Sequence, residues 1–285
     1  MQRIFLLIKN HKTMKSLSKV FLTLVSISLF AVSCKRENLI ATQEVSTSVL
    51  DKIAAQGFST ENVHKVANGY LVEGDIILTD QNLNEQSTSP TLLIANVEQY
   101  RTKNLVTSLP RVITVSVSGT LTSSQVWSDA TNAALARYNA LPNKRLTFQR
   151  VASGGNIDIF GFNQGPSGGY IVLGSSGFPS GGNPYNQIQL NTNVQAYGTN
   201  PNLDYVTSVI QHEMGHCIGF RHTDYFNRAL SCGGRNSNEG AGKIGAILIP
   251  GTPSGFDAES FMLSCSNGGN RTFNTNDLIA MDYLY

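Results

Sequence analysis

The amino-acid sequence predicts an α+β protein built around one sheet. Apolar residues alternate in several short segments, as in half-buried strands, and recur at three- and four-residue intervals in longer segments, as in helices. These segments follow in the order strand, helix, strands, helix, loops and helix, with no internal repeat. A chain of 285 residues suits one domain of ordinary size with extra segments, or two small domains.

Composition excludes two broad classes of protein. The chain is 41% hydrophobic and 14% charged, and this normal apolar content excludes an intrinsically disordered protein. The formal net charge is +2, and no stripe of basic residues with interleaved aromatics appears. We therefore expect no nucleic-acid partner.

The first 33 residues are predicted to be a signal peptide. Several lysines precede an apolar run over residues 20–32. This run is too short to span a bilayer, which needs about 20 residues, but it matches the apolar region of a signal peptide. It ends in Ala31-Val32-Ser33-Cys34, which resembles the lipobox of bacterial lipoproteins.

The lipobox resemblance implies that Cys34 is the lipid-bearing first residue of the mature chain. Several acyl chains on one terminus would anchor it firmly to a membrane. Ordinary signal cleavage nearby, with Cys34 incidental, is the alternative. We expect an exported bacterial lipoprotein on the periplasmic face or the cell surface, held to the membrane by its lipid alone, with release after processing left open.

Residues 34–92 are predicted to form a polar tether and a small pre-domain. A short helical pattern spans 49–54, and a strand over 69–78 is interrupted by Gly74. Residues 80–92 are rich in Asn, Gln, Ser and Pro and are predicted to be a linker.

Residues 93–285 are predicted to form the main domain. Its strands are predicted at 112–117, 146–148, 157–160, 170–173 and 188–190, and its helices at 126–141, 205–218 and 276–285. Between the last two helices the chain is predicted to be mostly loop.

The helix predicted at 205–218 contains an unusual group of residues. His212 and His216 are four residues apart, so they project from one face of the helix and can both reach one ion. Glu213 lies about 100° around the helix, where it can approach the ion without becoming a ligand. Gly219 can adopt the left-handed conformation that ends many helices, which would return His222 to the same ion.

Three neutral imidazoles leave zinc an open fourth position for water, which is the arrangement of a catalytic site. Histidine is scarce in this chain, with five in 285 residues, and three of the five lie within this group. We therefore predict that Zn²⁺ is bound by His212, His216 and His222, with Glu213 as the catalytic residue.

The segment from His212 to Asp224 resembles the metzincin zinc-binding pattern, and its sequence is most similar to that of the bacterial dual-action HEIGH metallopeptidases. The resemblance implies a metzincin-like catalytic domain with a twisted, mostly parallel five-stranded sheet, an active-site helix and a loop-rich C-terminal subdomain. It also implies that the strand at 170–173 is an edge strand that pairs with extended substrate. An interior strand is the alternative.

The resemblance assigns further roles. Metzincins place a Met in a tight turn beneath the metal, and Met262 is the candidate. Some of them have a Tyr two residues later, where this chain has Ser264, so Tyr225 or Tyr283 would have to supply a phenol. Asp224 is either an orienting partner of a ligand histidine or an exposed loop residue.

The implied activity is zinc-dependent hydrolysis of peptide bonds in a protein or peptide substrate, by a monomeric endopeptidase. Glu213 would take a proton from water and pass it to the leaving amine. A lipoprotein that uses zinc only to stabilise a binding module is one alternative, although such a module has no need of Glu213. A zinc hydrolase acting on other amides is a second alternative.

The sequence also suggests a latent form. The segment Val72-Glu73-Gly74-Asp75-Ile76 resembles part of the astacin pro-segment, in which an Asp carboxylate occupies the open zinc position. Asp75 is therefore the candidate latency ligand, and a simple turn at Gly74 and Asp75 is the alternative.

Three cysteines follow Cys34. Cys217 lies inside the predicted helix, whereas Cys232 and Cys265 lie in predicted loops. Because an exported protein can form disulfides, we predict a bridge between Cys232 and Cys265. Arg221 is predicted to be a surface or ion-pair residue.

Overall fold

Strands and helices lie close to the positions that the apolar periodicity predicts. The structure, a computed structural model, describes residues 44–84, 99–142, 144–167, 169–253 and 255–285. The predicted signal peptide, Cys34 and the start of the tether lie outside the described residues. Within those residues, no helix combines the length and the apolar character needed to cross a membrane. In chain order the elements are α1 (Thr47–Ala55), β1 (His64–Val66), β2 (Gly69–Val72), β3 (Ile76–Leu78), α2 (Asp80–Asn84), β4 (Tyr100–Arg101), β5 (Arg111–Val117), a 3-10 helix (Gly119–Ser123), α3 (Gln125–Asn139), β6 (Leu146–Arg150), β7 (Ile157–Phe162), β8 (Gly174–Ser176), β9 (Gln187–Asn191), α4 (Val194–Tyr197), α5 (Leu203–Ile218), β10 (Phe220–Arg221), α6 (Ala229–Cys232), β11 (Ile247–Leu248) and α7 (Thr275–Leu284).

Eight strands of the described residues form one mixed sheet, in the order β1, β2, β3, β8, β9, β7, β5, β6. Strands β6, β5, β7 and β9 run parallel to one another, and β8 is antiparallel to β9. These five strands are the mostly parallel sheet that the sequence predicts, and the predicted fold class is confirmed. A second, small sheet has the order β10, β4, β11.

The main core contains residues of the large sheet and of the long helices α3 and α5. Ile113, Val115 and Ile157 of the central strands are fully buried in it. The two helices are joined by Tyr138, whose hydroxyl donates a hydrogen bond to the main-chain oxygen of Gln211 at 2.8 Å. Because α5 is buried along most of its length, its side chains are held at fixed positions relative to β8.

The described part of the pre-domain, residues 44–84, extends the large sheet. Strands β2 and β3 form an antiparallel hairpin, and β3 pairs in parallel with β8 through Ile76 and Ser176. The hairpin reverses at Glu73 and Gly74, which have left-handed φ angles of 55° and 94°. The predicted strand structure over 69–78 and its break at Gly74 are therefore confirmed, but the two halves pair with each other as a hairpin because these two residues turn the chain back on itself.

A second core joins the pre-domain to the rest of the chain. Its buried residues come from the pre-domain, with two from later in the chain: Ile53, Phe58, Tyr70, Val72, Ile76, Leu78, Leu83, Phe178 and Ile244. Beside this core two backbones touch directly, since the nitrogen of Lys243 donates to the oxygen of Gln56 at 3.0 Å. A Cβ atom at Gly242 would lie 0.8 Å from that oxygen, so this contact requires glycine.

Two other predicted segments are corrected by the structure. The strand predicted at 170–173 begins instead at Gly174, and Tyr170 is 59% exposed. Strand β8 has the sequence Gly-Ser-Ser and lacks an apolar alternation, so its pairing with β3 and β9 rather than its own composition makes it a strand. The predicted linker at 80–92 starts with helix α2, and its residues from 85 onward lie outside the described ranges.

Candidate functional site

Helix α5 contains three of the predicted site residues, His212, Glu213 and His216. It ends before the fourth, His222, so that the chain can turn back toward the helix. The side chain of Asn202 caps its first turn by accepting a hydrogen bond from the nitrogen of Tyr205. Gly219 terminates it with a left-handed φ of 112°. A Cβ atom at Gly219 would lie 2.7 Å from the side chain of Leu105, so both backbone angle and space favour glycine. The chain then turns into β10 and returns His222 to the helix.

Each of the three histidines has its Nδ1 atom fixed by an acceptor. Nδ1 of His212 lies 2.9 Å from the oxygen of Phe261, and Nδ1 of His216 lies 2.9 Å from the oxygen of Phe220. Nδ1 of His222 lies 2.7 Å from Oε1 of Glu239. Carbonyl and carboxylate oxygens accept hydrogen bonds, so each Nδ1 donates its proton to a fixed acceptor and Nε2 is the nitrogen left to bind a metal ion.

The Nε2 atoms of the three histidines converge. Those of His216 and His222 are 3.1 Å apart. Together with Asp75, the three histidines form a group whose ligand atoms all lie within 4.8 Å of one another. Three imidazole nitrogens and one carboxylate oxygen are a donor set that suits zinc.

Asp75 reaches this group from the turn of the β2–β3 hairpin. Its Oδ2 atom lies 3.0 Å from Nε2 of His222 and 3.7 Å from Nε2 of His212. Burial opposes ionisation of Asp75, but the charge of His222 and hydrogen bonds from His212 and His222 hold its pKa well below the ordinary value. The carboxylate is therefore available as a fourth ligand.

Glu213 is buried beside the histidines and contacts β8, which lies between β3 and β9 in the large sheet. The hydroxyl of Ser176 donates to Oε2 of Glu213 at 2.8 Å. The other oxygen, Oε1, lies so close to Gly174 that a Cβ atom there would be 2.9 Å away. Burial raises the pKa of Glu213 well above its ordinary value, and the charge of Asp75 raises it further, against the Ser176 hydrogen bond and the charge of His222.

Met262 lies in a turn that packs against helix α5. A Cβ atom at Gly215, between His212 and His216, would lie 2.5 Å from the Met262 sulfur. The oxygen of Met262 accepts a hydrogen bond from the nitrogen of Thr223 at 2.9 Å. The turn thus contacts both the helix and the segment that contains the third histidine.

Cys232 and Cys265 form a disulfide, which links α6 to the loop after Met262. Within the described residues Cys217 is free and buried.

Asp224 is fully buried rather than exposed. Its carboxylate accepts hydrogen bonds from Ser231 Oγ at 2.5 Å and from Ser264 Oγ at 2.8 Å, so it holds these loops together instead of orienting a histidine.

Glu239 is the site residue that the sequence analysis missed. It is buried and accepts a hydrogen bond from Nδ1 of His222. Orienting a ligand histidine in this way is the role that the sequence analysis considered for Asp224. Arg221 is fully buried rather than on the surface, and its Nη2 lies 3.5 Å from Oε2 of Glu239. Burial opposes ionisation of Glu239, but His222, Arg228 and Arg221 lower its pKa to about 2.

A cleft of about 690 Å³ opens beside the histidines and is lined by residues of both the pre-domain and the main domain. Tyr170 lines it. Of the two tyrosines considered as phenol donors, Tyr283 is 53% exposed on α7. Tyr225 is buried, with its ring centroid 4.4 Å from that of Tyr100.

Comparison with known families identifies the chain. Residues 70–285 match the model of the dual-action HEIGH metallo-peptidase family. The chain belongs to this family. This HEIGH metallopeptidase is therefore an enzyme with zinc as its cofactor, and the family predicted from the sequence is confirmed.

Solved structures give more distant matches to the HEIGH metallopeptidase. Two myroilysin structures are each 17% identical, with TM-scores of 0.42 and 0.37; they cover 65% and 64% of this chain and 98% and 86% of their own chains. High choriolytic enzyme 1, a hatching enzyme zinc-protease from Oryzias latipes (Medaka fish), is 15% identical with a TM-score of 0.34, covering 61% of this chain and 88% of its own. A comparison with curated protein sequences finds no significant match.

Zinc binding should depend on the clustered histidines and not on His64, which lies in β1 outside the cluster. We expect free zinc at 100 times its Kd to stabilise the folded full-length protein by about 2.7 kcal/mol, and a chelator to remove this gain. Thermal unfolding with and without zinc measures it. His216→Ala should abolish the gain and His64→Ala should keep it. An equal gain in both variants would contradict the assignment.

Proposed function

We propose that the protein is a zinc-dependent endopeptidase in which Glu213 is the general base and Asp75 keeps the enzyme latent. The observation that supports catalysis most directly is the position of Glu213, buried beside the histidines with one carboxylate oxygen held by Ser176. A site that bound zinc only for stability would gain nothing from a buried carboxylate placed there.

The two carboxylate oxygens of Glu213 have different surroundings, which leaves one of them able to transfer a proton. Zinc, when held by the three histidines, supplies polarisation of the scissile carbonyl and of a water molecule. Because Oε2 accepts the Ser176 hydrogen bond, Oε1 takes the proton of the attacking water and delivers it to the leaving amine nitrogen. The water oxygen bonds to the carbonyl carbon first, and the carbon–nitrogen bond breaks once the nitrogen has received the proton from Glu213, which releases the amine and leaves a carboxylic acid.

The edge of β8 supports binding of an extended peptide. In this structure the edge is occupied by the pre-domain, since the nitrogen of Ser176 donates to the oxygen of Asp75 at 2.9 Å. A substrate strand would use the same main-chain hydrogen bonds. Strand addition holds a chain on both sides of the scissile bond, which favours cleavage within a chain over removal of a terminal residue.

Latency follows from the same contacts. Asp75 contributes a main-chain hydrogen bond to the strand edge and a carboxylate to the histidines, so it occupies both the substrate edge and the open ligand position. The second core, which fixes the hairpin, holds these contacts in place. We infer that the pre-domain must move before substrate can bind.

Export is supported by the Cys232–Cys265 disulfide, because such bonds persist in oxidising compartments. We propose that the chain is exported and lipidated at Cys34.

Loss of the general base should abolish hydrolysis without loss of zinc. In full-length protein bearing Asp75→Ala to relieve latency, Glu213→Gln should lower kcat for an unfolded protein substrate by about 10²–10⁴-fold. The exposed Glu259→Gln is the matched control and should leave kcat unchanged. Zinc content is measured in parallel. Retained hydrolysis in the zinc-loaded Glu213→Gln variant would refute the proposed role.

Removal of the proposed latency ligand should activate the enzyme. Asp75→Ala in the full-length chain should raise basal proteolysis by about 10- to 150-fold, the effect of losing about 1.5–3 kcal/mol of hydrogen bonding to a charged group. Asp51→Ala, an exposed carboxylate of α1, is the control. If the two variants have equal basal activity, Asp75 is not a latency ligand.

Lipidation should depend on one cysteine. When the full-length gene is expressed in a bacterium fed radiolabelled palmitate, we expect label on the wild-type protein and on Cys217→Ser, but none on Cys34→Ala. Fractionation should place only the labelled proteins with the membranes. Label that persists in Cys34→Ala would disprove lipidation at this residue.

A further inference from the structure

His222 is held differently from the other two histidines. Nδ1 of His212 and Nδ1 of His216 donate hydrogen bonds to main-chain oxygens, whereas Nδ1 of His222 donates one to the Glu239 carboxylate at 2.7 Å. His222 also lies beyond the end of α5, so the helix does not fix its backbone. Of the three ligand histidines, His222 is therefore the one whose Nδ1 is held by a side chain rather than by the backbone.

Glu239 is itself fixed by charges from two sides. Nε of Arg228 lies 3.2 Å from Oε1, and Nη2 of Arg221 lies 3.5 Å from Oε2. The hydroxyl oxygen of Ser264, which lies 2.8 Å from Asp224, also lies 3.0 Å from Oε1. The guanidinium groups offset the unfavourable burial of the carboxylate and leave it one orientation toward His222.

The backbone around Glu239 is tied to the same elements. Its nitrogen donates to the oxygen of Tyr225 at 2.7 Å. Nη2 of Arg221 also donates to the oxygen of Gly240 at 3.1 Å. The loop is therefore clamped to the segment that contains His222, and Glu239 cannot turn away without breaking several buried contacts.

We propose that Glu239 is a positioning residue of the zinc site. It accepts a hydrogen bond from Nδ1 of His222, which fixes the imidazole with Nε2 toward the metal and strengthens that nitrogen as a ligand. This deepens the proposed function, on which it rests. A carboxylate behind a ligand histidine raises the basicity of the histidine and holds its orientation, and loss of such a partner lowers metal affinity by about 10- to 100-fold.

A purely structural role for Glu239 makes a different prediction, and Asp224 provides the matched control. Both carboxylates are fully buried, and both have an oxygen within 3.0 Å of Ser264 Oγ, whose single proton they share. Asp224 holds loops and accepts no proton from a histidine in the described contacts. Removing either charge perturbs the same region, but removing that of Glu239 alone weakens the restraint on His222.

The test compares Glu239→Gln with Asp224→Asn in the full-length protein. The zinc Kd is measured by competition with a chromophoric chelator, and thermal unfolding is measured without metal. We expect zinc affinity to fall about 10- to 100-fold in Glu239→Gln and to stay near the wild-type value in Asp224→Asn. Equal losses in both variants, or wild-type affinity in both, would overturn the proposal.

A milder variant covers the case in which Glu239→Gln fails to fold. Glu239→Asp keeps the charge but shortens the side chain, so zinc affinity should fall while a wild-type zinc-free unfolding temperature would show an intact fold. Wild-type zinc affinity in Glu239→Asp would overturn the proposal. Since zinc affinity is measured without a peptidase assay, failure of the proposed catalytic role would not mimic either result.

Discussion

The end of helix α5 at Gly219 is the constraint on which the rest of the site depends. A helix continuing in a straight line would carry His222 away from His212 and His216. The left-handed residue turns the chain into β10 instead, where it pairs with β4. The main-chain oxygen of Gly219 also accepts a hydrogen bond from the nitrogen of Thr102 at 2.8 Å, so the turn is anchored to the start of the main domain. Ligand geometry and the small sheet therefore depend on one backbone conformation.

Buried charge at the site is balanced by neighbours rather than by solvent. Asp75, Glu213 and Glu239 lie within one region that also contains the histidines and two arginines. Removing such groups from water is unfavourable unless each meets a partner of opposite charge or a hydrogen-bond donor. Glu239 meets both arginines, whereas Glu213 has a single hydroxyl donor in Ser176, and burial together with the charge of Asp75 raises the pKa of Glu213. The group proposed to move a proton is thus held by fewer partners than Glu239.

The sequence predicted the site best where chemistry and local periodicity coincide. Helical spacing placed His212, Glu213 and His216, and the conformational freedom of Gly219 placed His222. Strand β8 could not be predicted in the same way, because Gly-Ser-Ser becomes a strand through its neighbours and the more apolar segment before it does not. Glu239 follows His222 by 17 residues in a glycine-rich loop with no pattern of its own. Contacts of that kind depend on how loops fold over one another, which local sequence does not encode.

The second core has a consequence for how the protein would respond to a break in its chain. Its buried residues come from both sides of the segment between Asn84 and Gln99, and no covalent bond in the described residues other than the chain itself crosses it. While the chain is intact, the pre-domain stays tethered to the rest of the protein, so its effective concentration at the second core does not change on dilution. After a cut, the same contacts would become a bimolecular complex, and its occupancy would fall as the protein is diluted. A cleaved enzyme would then stay inhibited by its pre-domain at high protein concentration and lose the pre-domain on dilution.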